Sequence, residues 1–246
     1  MTIFSTKEAI KFGWEKFVEK PGFWVLLMLV YFVIITGVDL WSYFVTEVPL
    51  TFLTELISIV LSLIFSLGVI KITLKAYENE TYSYSEFLNI FSYLLRYVIS
   101  FVIYMVIVMI VTFIVVIPFI IFAINIAFSP NHGIFSGFSF ILALPGMIPG
   151  IILAIKLFFF DYFIVDQDLG VVESLKASFR LTKGRLLKLL AFFLAVVLIN
   201  FVGVLLLGIG LLFTMPVSFL ATAYVYKKLL ERKSLDLDWV LQKKES

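Results

Sequence analysis

Few side chains in this sequence can do chemistry, and they are widely scattered. There is one histidine, His132, and no cysteine. Thiolate nucleophiles, disulfides, iron–sulfur clusters and multi-histidine zinc or haem sites are therefore excluded. The polar residues that interrupt long apolar stretches are Glu55, Asn125, Lys156, Asp161 and Asn200. An ionisable group in such a setting is costly and marks a candidate ion, proton or ligand site. Glu55 suits a cation or a proton. Lys156 carries a stem long enough to lift its charge toward a membrane surface. Asp161 lies five residues after Lys156, which is not a spacing that pairs them on one helix, and Lys71 or Lys75 is its expected partner. Asn125 and Asn200 suit hydrogen bonds between helices. Pro145-Gly146 and Pro149-Gly150 are candidate helix breaks just before Lys156, and Pro118 and Pro216 are single prolines in apolar sequence. A proline frees a backbone carbonyl, and broken membrane helices use such groups to line ion sites. The sequence holds no HExxH, no GxSG and no glycine-rich phosphate loop. Asp161, Asp166, Asp168 and Glu173 do not follow a metal-ligand spacing. No cofactor and no metal is expected.

The elements that must position these residues are membrane helices. Of the 246 residues, 62% are hydrophobic and only 15% charged, whereas soluble domains carry about 25% charged residues. That composition excludes a soluble enzyme, a disordered tail and a nucleic-acid-binding domain. A span needs about 20 apolar residues. Candidate spans fall at 22–44 and about 50–72. Residues 97–155 contain no Asp, Glu, Lys or Arg, which is room for two helices, at about 97–124 and 138–164, joined by the turn formers 129–133. A second uncharged run, 189–226, gives two short spans at about 187–207 and 211–229 with Gly208 and Gly210 at the turn; a shallow re-entrant hairpin is the alternative. The N-terminal segment is no signal peptide, because residues 5–20 carry seven charges before any apolar run.

Charge placement agrees with six spans. The loops at about 45–49, 129–137 and 208–210 hold no Lys or Arg, while basic residues crowd the segments before the first span, between the second and third, between the fourth and fifth, and after the sixth. By the positive-inside rule both termini face the cytoplasm of a plasma-membrane protein.

Each basic segment opens with a helix-start signal and a Glu: Ser5-Thr6-Lys7-Glu8, Ser83-Tyr84-Ser85-Glu86 and Gly170-Val171-Val172-Glu173. The first two read as capping boxes, and glycine is an acceptable N-cap in the third. Apolar or small residues follow at helical spacing: Ile10, Gly13, Trp14 and Phe17; Leu88, Phe91, Ser92 and Leu95; Leu175, Ser178, Phe179 and Thr182. The expected fold is all-α. It is a polytopic membrane bundle of six transmembrane helices with three interfacial amphipathic helices, in one domain over 1–246. Its units repeat at about 5–78, 83–165 and 170–230, ahead of a tail at 231–246. Such helices favour anionic lipid headgroups as partners. A membrane-protein partner or a second copy is the other expected contact, and nucleic acid is not.

Several stretches resemble the glycerophosphoryl diester phosphodiesterase membrane-domain family. They are Phe163-Ile-Val-Asp166, Glu173-Ser-Leu-Lys-Ala-Ser178 and Leu181-Thr-Lys-Gly184, against the family's "ivvd" end and "eALkrS…ltkG" helix. Gly68 to Lys75 with Glu78 and Glu80, Ile148-Pro149-Gly150, Pro216 and Tyr224 add to the likeness. The resemblance implies six membrane helices and no assigned chemistry. Catalysis in the phosphodiesterases of that family belongs to a separate soluble barrel, which this sequence is expected to lack.

Three functions fit. One is a non-enzymatic membrane protein that organises lipids or partner membrane proteins. The second is a small transporter or channel built on the broken fourth span, which calls for a polar cavity reaching Glu55 or Lys156. The third is a lipid-modifying enzyme, which calls for a cleft gathering three carboxylates.

Overall fold

The computed structural model describes residues 4–44, 48–128 and 148–245. Among the described residues the chain is all-helical, with no strand. Helix α1 (Thr6–Glu19) follows Ser5, and Lys20 ends it. Pro21 then starts α2 (Pro21–Phe44), where its missing N–H costs nothing. Helix α3 (Val48–Tyr77) returns alongside α2, and the Tyr31 and Phe65 rings stack at 3.9 Å between them. Beyond α3 come a 3-10 helix at Tyr84–Asn89 and α4 (Phe91–Phe128). Then follow α5 (Ile148–Leu157), α6 (Phe160–Gln167) and α7 (Val171–Leu181). Helices α8 (Leu186–Leu205) and α9 (Leu211–Glu245) complete the chain.

Among the described residues five stretches are long and apolar enough to cross a membrane: Pro21–Ser42, Pro49–Tyr77, Phe91–Ile114, Ile148–Gln167 and Leu186–Leu205. The sixth expected span, in α9, does not reach that standard, because its apolar part is short and runs directly into Lys227 and Lys228.

The second half of α3 is the centre of packing. Its residues enter all three buried apolar clusters: Ile70 and Leu74 with α6, α8 and α9; Val69 and Ile72 with α1, α2 and α9; Leu63 and Leu67 with α4 to α7. Helix α1 does not stand apart. It lies along α9 in the opposite direction, with Phe12 against Tyr224, Gly13 against Val217 and Ala221, and Phe17 against Phe213. A Cβ on Gly13 would collide with the Val217 carbonyl, so the close approach of these two helices requires glycine.

The second of the three expected amphipathic helices takes a different form. Ser83 is at the N-cap, but the helix that follows is a six-residue 3-10 segment, and no side-chain cap bond forms there. Tertiary contacts pull it against α3: Glu86 binds Lys71 and Lys75, and the Phe87 ring sits where Gly68 would carry a Cβ. Leu88, Phe91 and Leu95, expected to form an apolar face, are exposed. In α1 the buried face is Ala9, Gly13 and Phe17, with Trp14 outside. In α7 it is Ser174, Leu175, Ser178 and Leu181.

The α8–α9 hairpin is short. Tyr77 of α3 meets Tyr224 of α9 with ring centroids 6.1 Å apart, which places these residues at one level. From there α9 runs back 13 residues to its start, about 20 Å, whereas α3 runs back 29 residues, about 43 Å. The hairpin tip thus stops about halfway along α3. Residues Val204–Phe213 contain no polar side chain. The turn has Leu207 and Gly208 at positive φ and is held by backbone bonds such as Gly208 N–H to Val204 O and Thr214 N–H to Gly210 O, both at 3.0 Å.

Candidate functional site at a broken helix

The fourth span is broken within its described part, at a point that holds no proline. Pro145 and Gly146 lie outside the described residues. Pro149 and Gly150 sit in the first turn of α5 as described, where proline is well tolerated, and Gly150 lets α5 touch Thr112 of α4. Pro118 likewise does not end α4, which continues to Phe128. The interruption falls between Leu157 and Phe160, in a run of three phenylalanines. It is repaired from α7. Ser178 Oγ donates to the Lys156 carbonyl at 3.0 Å and accepts the Phe159 N–H at 3.0 Å. Thr182 Oγ1 also reaches the Lys156 carbonyl, at 3.1 Å. Two hydroxyl side chains thereby supply what the missing helical turn would have supplied. Their sequence signal is the pair of small polar residues, four apart, on an otherwise apolar helix face.

The break sets Asp161 in the first turn of α6, facing a cavity of about 740 Å³. Helix α8 is held by α9, α5 and α1 rather than by α3, and the gap left between α3 and α8 is this cavity. Its polar lining is Tyr31, Ser62, Ser66, Asp161, Tyr162, Asn200, Ser218 and Thr222, and the remainder is aromatic or aliphatic, including Phe65, Phe193 and Phe219. Asp161 Oδ1 accepts the Tyr162 N–H at 2.8 Å. Asn200 Nδ2 donates to Ser218 Oγ across the α8–α9 contact, and to the Val196 carbonyl of its own helix, both at 2.9 Å. Tyr97 donates to Ser66 at 3.3 Å, and Tyr31 meets Ser62 at 3.5 Å.

Of the five polar residues singled out from sequence, the structure brings together Asp161 and Asn200. Glu55 is exposed on the first half of α3, away from the cavity. Lys156 places its ammonium over the Phe179 ring, 4.6 Å from the centroid. The Asn125 side chain lies outside what is described, as does His132. Lys71 and Lys75 do not meet Asp161. They converge on Glu86, at 3.4 and 2.6 Å, because the segment after α3 folds back to present that carboxylate. Sequence reasoning passed over Ser62 and Ser66, although serines at 58, 62 and 66 form an i, i+4 stripe on α3.

A charged network closes one end of the bundle. Lys227 binds both Asp166 and Glu78 at 2.6 Å, Arg96 binds Asp168 at 2.5 Å, and Tyr77 donates to Glu231 at 2.6 Å. Glu86 belongs to this layer. Its burial acts to raise the carboxyl's pKa, but the hydrogen bond and charge of Lys75, helped by Lys71, outweigh it and hold the group below the usual carboxylate range. No group of three potential metal-ligating side chains occurs among the described residues. On the other side of α2 and α3 an apolar groove of about 430 Å³ is bounded by Leu27, Val30, Ile34, Ile64 and Phe87.

A family model described as a domain of unknown function, DUF7847, matches residues 5–231. The match covers most of the chain, and the chain belongs to that family. No curated protein and no solved structure matches it.

Proposed function

We propose that this chain is a non-enzymatic, multi-pass membrane protein that holds lipid or another amphiphile between its helices and so organises its surroundings. The observation that carries this reading is the 740 Å³ cavity between α3 and α8, apolar over most of its wall and polar at one side. Pockets of about 300–1,000 Å³ with that character are the usual form of small-molecule sites. The apolar groove on the opposite side of α2–α3 supports the same reading.

Six helices enter the membrane as three hairpins, and both termini are cytoplasmic, with the charged network at the cytoplasmic surface. The third hairpin is the short one, and its uncharged tip ends in hydrocarbon. Backbone bonds within the turn, such as Gly208 N–H to Val204 O, and the absence of polar side chains from Val204–Phe213 suit such a location. A threefold ancestry survives in the starts at Ser5, Ser83 and Gly170. Distant kinship with the phosphodiesterase membrane domains belongs to this reading and carries no phosphodiesterase activity with it.

A transport reading draws on the broken α5–α6 element, with Asp161 beside the break. Against it, the cavity reaches neither Glu55 nor Lys156. Reconstitution separates the two readings. The purified chain should retain several lipid molecules through delipidation, counted by native mass spectrometry, and its proteoliposomes should show no ion or proton flux above empty vesicles. Flux with little retained lipid would reverse the assignment.

A further inference from the structure

Among the described residues, the cavity holds a carboxylate with no basic side chain beside it. Two of the hydroxyls in its wall donate to backbone carbonyls: Ser218 Oγ to Thr214 and Thr222 Oγ1 to Ser218, both at 2.7 Å. Both amide protons of Asn200 are taken, by Val196 and Ser218. That network fixes which way the amide is turned, and it is the oxygen that remains. Asn200 Oδ1 is buried and has no partner among the described residues. Asp161 accepts one backbone N–H. The basic side chains that might have met it are engaged elsewhere: Lys71 and Lys75 with Glu86, Lys227 with Asp166 and Glu78, and Lys156 on the Phe179 ring. Among the described residues the cavity therefore presents a carboxylate with no basic partner, inside an apolar and aromatic wall.

We propose that this cavity binds the primary ammonium group of an amphiphile, with Asp161 as its counter-ion and the hydrocarbon chain along the phenylalanine-rich wall. This rests on the reading of the chain as an amphiphile-holding membrane protein. An anionic head would meet a carboxylate, which repels it. A neutral chain would leave the carboxylate without a donor, at a cost in free energy. A quaternary ammonium has charge but no N–H to give. A primary ammonium supplies charge and three donors, and the rings of Tyr31, Phe65, Phe158 and Phe193 around the cavity favour a cation as well. The ammonium belongs either to a lipid headgroup or to a free hydrophobic amine.

The test uses the full chain in phosphatidylcholine nanodiscs, titrated with dodecylammonium, dodecyltrimethylammonium, dodecanol and dodecanoate and read by native mass spectrometry. Dodecylammonium should bind one per chain and roughly tenfold or more tighter than the other three, as a charge-assisted hydrogen bond warrants. Asp161→Asn should erase that preference while leaving dodecanol binding and the unfolding midpoint unchanged. Glu55→Gln, remote from the cavity, should keep it. Equal binding of ammonium and alcohol by the native chain, or an undiminished preference in Asp161→Asn, overturns the proposal. The native-chain series decides by itself if that variant does not fold. Exchanging the nanodisc lipid for phosphatidylethanolamine identifies the source. Loss of dodecylammonium binding by competition assigns the headgroup, and unchanged binding assigns a free amine; either outcome keeps the site. If alcohol and ammonium bind alike, only the ligand class fails. If none of the four binds, the amphiphile-holding function fails with it.

Discussion

The two halves of α3 have similar composition and opposite fates. From Pro49 to Leu61 most side chains are exposed, among them Phe52, Leu53, Leu56, Ile57, Ile59 and Val60. From Leu63 to Ala76 the same kinds of residue are buried, with Leu67 and Ile72 fully enclosed. Helices α1, α6, α7 and α9 all gather around the second half, next to the charged network, and among the described residues the first half has only α2 beside it. Hydropathy is therefore a poor guide to packing here. An apolar residue satisfies lipid and protein equally well, and there is no water-driven force between membrane helices to choose between them. Shape and polar anchors do the choosing, and the anchors are at one end.

That contrast can be broken most strongly by the same substitution in each half. Leu67→Ala should destabilise the chain by about 2 kcal/mol, since a packed leucine leaves a cavity behind it. Leu56→Ala, at a residue 47% exposed, should cost less than about 0.5 kcal/mol. Chemical unfolding in mixed micelles measures both, and equal losses would mean that the first half of α3 is packed as well.

The anchors are tested next. The Glu86 side chain is 9% exposed and serves two lysines. Glu86→Gln should cost about 2 kcal/mol, below the range for fully buried pairs because the lysines remain partly open to solvent. Because the folded carboxyl titrates below its ordinary value near 4.5, its contribution is complete above that pH and is lost as the pH falls through the lowered folded value. Unfolding midpoints measured from pH 6 downward should therefore fall in the native chain. In Glu86→Gln this part of the fall should disappear.

The smallest effect on stability, and the sharpest on depth, concerns the short hairpin. The chain has no cysteine, so Leu207→Cys introduces a unique label site at a residue 91% exposed. It should leave stability within about 0.5 kcal/mol. It should also resist a membrane-impermeant maleimide applied to either side, while Leu50→Cys at the far end of α3 reacts from one side. Reaction at 207 from the same side as 50 would show a full crossing instead.

Much of the architecture was legible in the residues. The helices α2 and α3 follow from apolar stretches of sufficient length, α4 and α8 from uncharged runs, and the starts of α1 and α7 from Ser5 and Gly170. Of the cavity, Asp161 and Asn200 were legible, because a polar side chain in an apolar run is conspicuous. Less was legible where a contact depends on a partner distant in sequence. A break that the sequence does not announce lies at Phe158–Phe159. Proline announces a missing donor, but a run of phenylalanines does not announce that Ser178 and Thr182 will stand in for a lost turn. Asp161 was expected to meet Lys71 or Lys75, yet those lysines are captured by Glu86 from a segment that sequence periodicity reads as an interfacial amphipathic helix.

Local chemistry determined which segments are helical and apolar, and where charge is permitted, since a backbone in a low-dielectric setting must satisfy its own polar groups. The depth of the last hairpin, the stitching of the broken span and the pairing of Asp161 with Asn200 around one cavity were decided only by tertiary structure. Each depends on which side chain from another helix arrives within hydrogen-bonding or packing distance. No single stretch of this chain encodes that arrival.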